Sequence, residues 1–304
     1  MKSNQKKAWL FLAPTIIFVT FFSIYPILRA FVMSFQSGPL INLNWTGFSN
    51  YQYIFSDPEF WRAIRNTILY ALISVPVALA ISIMLAWFIF SKVKHKSFFE
   101  TTFFMPYVTS TIAIGIVFRY IFNGEYGMLN FLLRALHLPA PNWIDDPSMS
   151  LTTIIIFGVW TSLAFNIVIL MGALRNIDPN YYTIADMYGA TGTEKFWRIT
   201  MPQLVPTIAF LLTMNIIAAF KIYTSVYALF NGQAGVGNSA TTAVFYIYNK
   251  FQIVGTPGVA MAATVILFLI IMFVTFLQRK MMKKIGGGKK WRRFVGVLWL
   301  LTSF

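Results

Sequence analysis

The chain has 304 residues, 58% of them hydrophobic and only 11% charged, with a mean hydropathy of +0.67 and a net charge of +15. Soluble domains carry about a quarter charged residues, so this composition excludes one and defines an all-α polytopic membrane protein. Cysteine is absent, which excludes disulfides, thiolate metal sites and cysteine nucleophiles.

Apolar segments of span length recur at about 8–35, 62–90, 98–122, 150–174, 203–230 and 257–281, predicting six transmembrane helices. The first follows Lys2, Lys6 and Lys7, as a signal peptide would. It is too long for one and lacks a small-residue cleavage site, so it reads as a retained span. Between the first two spans, Gln36 to Trp61 is rich in turn and aromatic residues, and Asp57-Pro58 opens the helix leading into span two. After span three, Asn123 to Ser148 contains Leu129 to Leu136, which has the pattern of an interfacial helix. After span five, Asn231 to Thr256 is glycine-rich and then aromatic. Beyond span six comes KKIGGGKKWRRF and a last apolar stretch too short to cross a bilayer. Residues 284–304 therefore read as an interfacial anchor or as the start of a fused, truncated partner.

The connecting segments alternate in charge. The N-terminal residues 1–7, the 91–97 loop, the 175–202 loop and the chain from Arg279 onward hold 17 of the 24 basic residues. The intervening set holds Arg134 and Lys250 beside Asp57, Glu59, Glu125, Asp145 and Asp146. By the positive-inside rule both termini and the two basic loops face the cytoplasm. Charge distributed in this way serves topology, and no nucleic-acid partner is expected.

One polar segment is far longer than a turn needs. Arg175 to Pro206 reads RNIDPNYYTIADMYGATGTEKFWRITMPQLVP, a helix–turn–helix between spans four and five. Asp178-Pro179 supplies a helix start, and Tyr182, Ala185 and Met187 to Gly189 supply a face for docking into a groove. Gly189 and Gly192 break the helix, Thr193 caps a second one, and Pro202 and Pro206 open span five.

Enzyme motifs are missing: the chain has no HExxH, no GxSxG and no GxxxxGK[ST], so it has no P-loop of its own. None of the nine carboxylates lies deep in a span, where a proton-coupled carrier would use one. Lys221 stands in the middle of the fifth apolar segment, with Tyr223 and Thr224 after it, and Asn166 and Asn215 are the other polar groups at depth. A lysine there faces a hydrated path or a partner subunit, whereas the asparagines fit either a solute path or interhelical hydrogen bonding.

These residues resemble the permease subunits of binding-protein-dependent ABC importers, in particular the carbohydrate-uptake group with maltose-type and glycerol-3-phosphate-type permeases. The likeness covers about residues 8–283 and includes APTIIFVTFFSIYPILRAFVMSF, the WTGFSNYQYIFSDPEFW segment and VWTSLAFNIVILMGALRNI. Its most specific part is the 175–202 loop, where that family has Glu-Ala-Ala, a hydrophobic-Asp-Gly-Ala, then Phe and Ile-x-Leu-Pro. Here the same spacing carries Thr183-Ile184-Ala185, Met187-Tyr188-Gly189-Ala190, Phe196 and Ile199-Thr200-Met201-Pro202. The carboxylate of the family's Glu is therefore lost at Thr183, and the family's Gly-Gly-Pro is spread into Gly232 to Gly237. The resemblance implies a type I importer permease fold of 8–283, with a coupling helix in which Thr183, Ala185, Gly189, Ala190, Phe196 and Pro202 meet a cytoplasmic ATPase. It also implies a prokaryotic inner-membrane location and no enzyme activity or cofactor of the chain's own, ATP being bound by two partner ATPase subunits. A second, similar permease, an extracytoplasmic binding protein and a sugar or oligosaccharide, neutral, acidic or phosphorylated, complete the expected system. Lys221, Asn166, Asn215, Tyr223 and Thr224 are the candidate solute-path residues. The competing reading is an ATP-independent secondary carrier or facilitator.

Overall fold

The structure, a computed structural model, describes residues 2–94 and 96–285; of the 284–304 tail, residues 286–304, on which its two readings turn, lie outside them. In chain order the elements are α1 (Lys2–Val19), α2 (Tyr25–Met33), β1 (Gln36–Ser37), β2 (Asn44–Trp45), α3 (Ser49–Ser56), α4 (Pro58–Lys92), α5 (Lys96–Val108), α6 (Thr111–Ile121) and α7 (Met128–Ala135). They continue with α8 (Ser150–Arg175), α9 (Asn180–Met187), α10 (Gly192–Lys195), α11 (Met201–Phe220), α12 (Thr224–Leu229), α13 (Ala243–Tyr248) and α14 (Pro257–Ile285). Five helices are long and apolar enough to cross a membrane, and a sixth span results if the bent pair α5–α6 counts as one. Single turns of π-helix at Thr20–Ile24 and Phe196–Thr200 lie just before Pro26 and Pro202, whose missing N–H leaves a carbonyl of the preceding turn without its usual donor.

The chain divides into two compact units. One holds the chain up to Arg62 with Ala243–Leu269. In it β1 and β2 form a small antiparallel ribbon, pairing Gln36 with Trp45. The buried Asn50 amide donates to the Ser34 and Gln36 carbonyls, both at 2.9 Å. Gly258 passes so close to the Gln36 carbonyl that a Cβ would lie 1.8 Å from its oxygen. The unit also contains an ion cluster that no sequence motif announces. Lys250 Nζ lies 3.1 Å from Asp57 Oδ2 and 3.7 Å from Glu59 Oε2, over the rings of Tyr53 and Tyr246. The Tyr246 hydroxyl donates to Asp57 at 2.8 Å. Asp57 still caps α4 as its sequence predicts, accepting the Glu59 N–H at 2.9 Å.

The other unit comprises Ala63–Thr242 and the chain from Ile270. Two of its spans depart from the sequence expectation. The third is not one rod over 98–122: α5 and α6 meet at 102° across residues 109–110, where Ser110 leaves helical geometry at φ −56°, ψ 124°. The fifth does not run to residue 230. It stops at Phe220, residues 221–223 are non-helical, and α12 resumes as a separate helix packed along α6. Gly115 permits that packing, since a Cβ there would meet the Ala228 methyl at 2.4 Å. The helix expected at Leu129 to Leu136 forms as α7, with Asn130 buried beneath it and bonded to Trp143 Nε1 at 2.8 Å. Met128, Phe131 and Leu132 are exposed on its other face.

Candidate functional site

Two features of the second unit hold the candidate site residues, and α11 joins them. The first is the segment between α8 and α11. Asp178 Oδ1 accepts the Asn180 N–H at 2.9 Å and starts α9. The helix ends in a Schellman turn: Gly189 N–H donates to the Asp186 carbonyl, Ala190 N–H to the Ala185 carbonyl, and Gly189 sits at φ +72°. The second helix is capped by Thr191, not by Thr193 as the sequence predicts. Thr191 and Glu194 form a reciprocal capping box, which needs the acidic residue three positions on, and Thr193 has none there. An ion pair between Lys195 and Asp186 ties α10 back to α9.

The docking face also differs from the expected one. Tyr182 turns inward: its hydroxyl pairs with Thr200 Oγ1 at 2.9 Å, and its ring lies 6.3 Å from both Trp87 and Phe90 of α4. Phe196 packs on Trp87 at 5.4 Å. Burial raises the Tyr182 phenol's pKa, against the lowering effect of its bond to Thr200. The exposed side carries Met187 and Tyr188 as expected, 82% and 88% exposed, with Tyr181 and Ile184 in place of Tyr182 and Ala185. Side chains three and four apart share one side of a helix, so the expected face is one residue off in phase at Tyr182 and Ala185, while Met187 to Gly189 are exposed as expected. Of the coupling residues expected, Thr183 and Gly189 are exposed, while Ala185, Ala190, Phe196 and Pro202 are half-buried.

The second feature is a polar cavity of about 240 Å³. Its lining combines both helix breaks: Thr111 opens α6, Lys221 and Tyr223 lie in the gap between α11 and α12, and Thr224 and Ser225 open α12. Tyr70 and Ser74 of α4, Thr161 and Ser162 of α8 and Asn215 of α11 complete it. Non-helical backbone at membrane depth survives only where it lines a cavity or is buried in protein, so the breaks and the cavity are one feature. Lys221 ends α11, its N–H donating back to Ile217 and Ala218 carbonyls, so its ammonium sits at the negative end of a helix dipole. The structure thus gathers Lys221, Asn215, Tyr223 and Thr224 around one cavity. Asn166 does not line it but accepts from Asn215 Nδ2 at 2.8 Å, and its own amide nitrogen has no hydrogen-bond partner among the described residues.

Sequence reading missed Tyr70, which reaches the cavity because Gly158 gives it room; a Cβ there would lie 2.0 Å from the Tyr70 hydroxyl. It also missed Ser74, Thr161, Ser162 and Ser225. A glycine and hydroxyl residues scattered over three apolar spans were the available signal.

Apolar helices of span length, two of them broken around a polar cavity, fit the fold of a membrane permease. Residues 58–286 match the family described as binding-protein-dependent transport system inner membrane component, and the chain belongs to it. It is similar to the lactose transport system permease protein LacF of Rhizobium radiobacter, 32% identical over 275 residues, covering 89% of this chain and 92% of that one. The arabinooligosaccharides transport system permease protein AraP of Bacillus subtilis is 31% identical over 287 residues, covering 94% of this chain and 91% of the other. Among solved structures, a chain of a bacterial ABC transporter involved in import of the acidic polysaccharide alginate shares the fold. Its TM-score is 0.81 at 24% identity, covering 93% of this chain and 98% of that one. The chain is therefore a transport subunit of the inner membrane.

Proposed function

We propose that this permease passes a sugar or oligosaccharide from an extracytoplasmic binding protein into the cytoplasm, driven by a separate ATPase that docks on α9. The observation that carries the reading is the two-sidedness of the 175–202 segment: Tyr182 and Phe196 fix it to α4, while Tyr181, Ile184, Met187 and Tyr188 stand exposed on the other side. Large apolar and aromatic side chains on α9 and at its C-cap, in a segment that carries Arg175, Lys195 and Arg198, suit a hydrophobic cleft on a cytoplasmic protein. The charge pattern supports a cytoplasmic N-terminus and tail. The names of the similar permeases support a sugar as solute, and hydroxyl, amide and ammonium groups in the cavity suit its hydroxyls.

The mechanical link is a helix. From Gly192 to Phe220 the chain is continuous for 29 residues, about 43 Å at 1.5 Å per residue. One end carries the capped docking element and the other ends at Lys221 in the cavity. Movement of α9 by paired ATPases would be passed along this rod to the break at 221–223, reshaping the cavity without unfolding anything. A second, similar permease would close the open side of the path, and two ATPase subunits would serve the two docking helices.

Co-purification from gently solubilised membranes tests the scheme: a P-loop ATPase, a second six-span permease and a binding protein should accompany the chain. A chain that purifies alone and moves solute without ATP would overturn it and favour the carrier. For the cavity, Lys221→Ala should lower uptake about tenfold, the loss of one charge-assisted hydrogen bond, with the inserted amount unchanged. Initial uptake rate per inserted chain is the measurement, and a parallel fall in uptake and inserted protein would make Lys221 structural.

A further inference from the structure

At the end of the unit remote from α9, a second cavity of about 380 Å³ opens between the end of α6 and the loops before α8 and after α12. A smaller one of about 170 Å³ adjoins it, and the two share Arg119, Asp145 and Asn231. Tyr120 and Tyr126 border the larger cavity and Gln233 the smaller. Among the described residues neither the Arg119 guanidinium nor the Asp145 carboxylate has a hydrogen bond or ion pair, although both line the same space. Asn231 is fixed in the left-handed region at φ +54°, with the next N–H, of Gly232, held by the Tyr227 carbonyl at 2.8 Å.

This set has a definite chemical preference. A guanidinium offers paired donors and a carboxylate paired acceptors, and one polyol with neighbouring hydroxyls satisfies both at once. A phosphate or uronate would be drawn by Arg119 and repelled by Asp145, so the set favours a neutral sugar unit. Tyrosine rings can cover the apolar face of such a unit, and the volume lies in the range of small-ligand sites. The spacing adds the decisive point. Thr111 at the start of α6 lines the polar cavity at the helix breaks, and Arg119 near its end lines this one, about 12 Å further along the same helix. That separation exceeds one sugar ring and matches a short oligosaccharide.

We propose that Arg119, Asp145 and Asn231 form an outer glycan subsite that holds a neutral sugar unit of an oligosaccharide whose leading unit occupies the cavity at Lys221. The inference rests on the sugar-importer reading and narrows it to oligosaccharides.

The test uses the assembled importer, with its binding protein and ATPase, in proteoliposomes. Labelled arabinotriose and lactose are compared with arabinose and galactose as solutes. Arg119→Gln and Asp145→Asn should each raise KM for the longer solute about tenfold, the cost of one charge-assisted hydrogen bond, with kcat within about twofold and monosaccharide uptake unchanged. Should Arg119→Gln insert poorly, Asp145→Asn still decides, because its exposed side chain bonds to no described residue. Equal effects on long and short solutes, or none on either, would overturn the subsite while leaving the importer reading intact. Wild-type importer that moves the monosaccharides but neither longer sugar would overturn the subsite alone.

Discussion

Gly189→Val is expected to cut solute uptake to about a tenth or less while the protein still inserts. Gly189 holds φ +72° at the end of α9, and a Cβ there would meet nothing within 4 Å. The effect would therefore come from the backbone and not from a clash. A β-branched residue in the left-handed region costs about 1–2 kcal/mol, and the cheapest relief is to unwind the Schellman turn that orients Tyr188 and Met187. Gly189→Asn should transport close to the wild-type rate, because asparagine tolerates this conformation. Gly189→Asp has nearly the same shape as the asparagine variant but adds a charge. Set against a partner's apolar cleft, that carboxylate should lower transport and ATPase co-purification well below the asparagine variant. Uptake and ATP hydrolysis measured together in proteoliposomes separate the two causes. If all three variants import at the wild-type rate with the ATPase still bound, α9 is not the coupling element.

Much of this arrangement was legible in the sequence. Hydropathy marked the spans because a bilayer demands long apolar helices, and the length and polarity of 175–202 marked the capped helical segment between α8 and α11. Phase within that segment was harder. Tyr182 and Tyr181 are chemically alike, and only the presence of Trp87 and Phe90 on α4 decides which one turns inward. The helix breaks left a weaker trace. Thr109-Ser110 and Lys221-Ile222-Tyr223 scarcely alter a hydropathy average, so each segment read as one rod. Lys221 thus read as a charge in mid-helix, when it terminates α11 beside a polar cavity. Lys250 is the clearest case of what sequence withholds. It read as a stray basic residue in an acidic set, and its partners Asp57 and Glu59 lie some 190 positions away, joined to it only by the fold.

That cluster carries the other large expected effect. The side chains of Lys250 and Asp57 are 10% and 11% exposed, so removing one strands the other in a low-dielectric site. Lys250→Met leaves a carboxylate with only the Tyr246 hydroxyl and the Glu59 N–H, and should destabilise the protein by about 3 kcal/mol. Asp57→Asn should cost less, since Glu59 remains 3.7 Å from Lys250. The double variant should recover part of the loss, because a buried pair is often replaceable by neutral groups where a lone buried charge is not. Thermal midpoints in mild detergent give the cycle, and additive losses would mean that the pair is not coupled. The same contacts fix the pH window. Burial alone would push Asp57 up, but hydrogen bonds from Tyr246 and Lys250 hold its pKa below the usual 3.8, so its contribution is present above that value and fades as pH falls through the lowered one. Burial alone would push Lys250 down, but Asp57 and Tyr53 hold its pKa above 10.5, so its contribution is complete below that value and fades as pH rises through the raised one. Between those limits the wild-type midpoint should gain nothing from this pair as pH changes, and the loss caused by Lys250→Met should be constant. A loss that instead shrank across neutral pH would mean that the pair is not ionised in the folded protein.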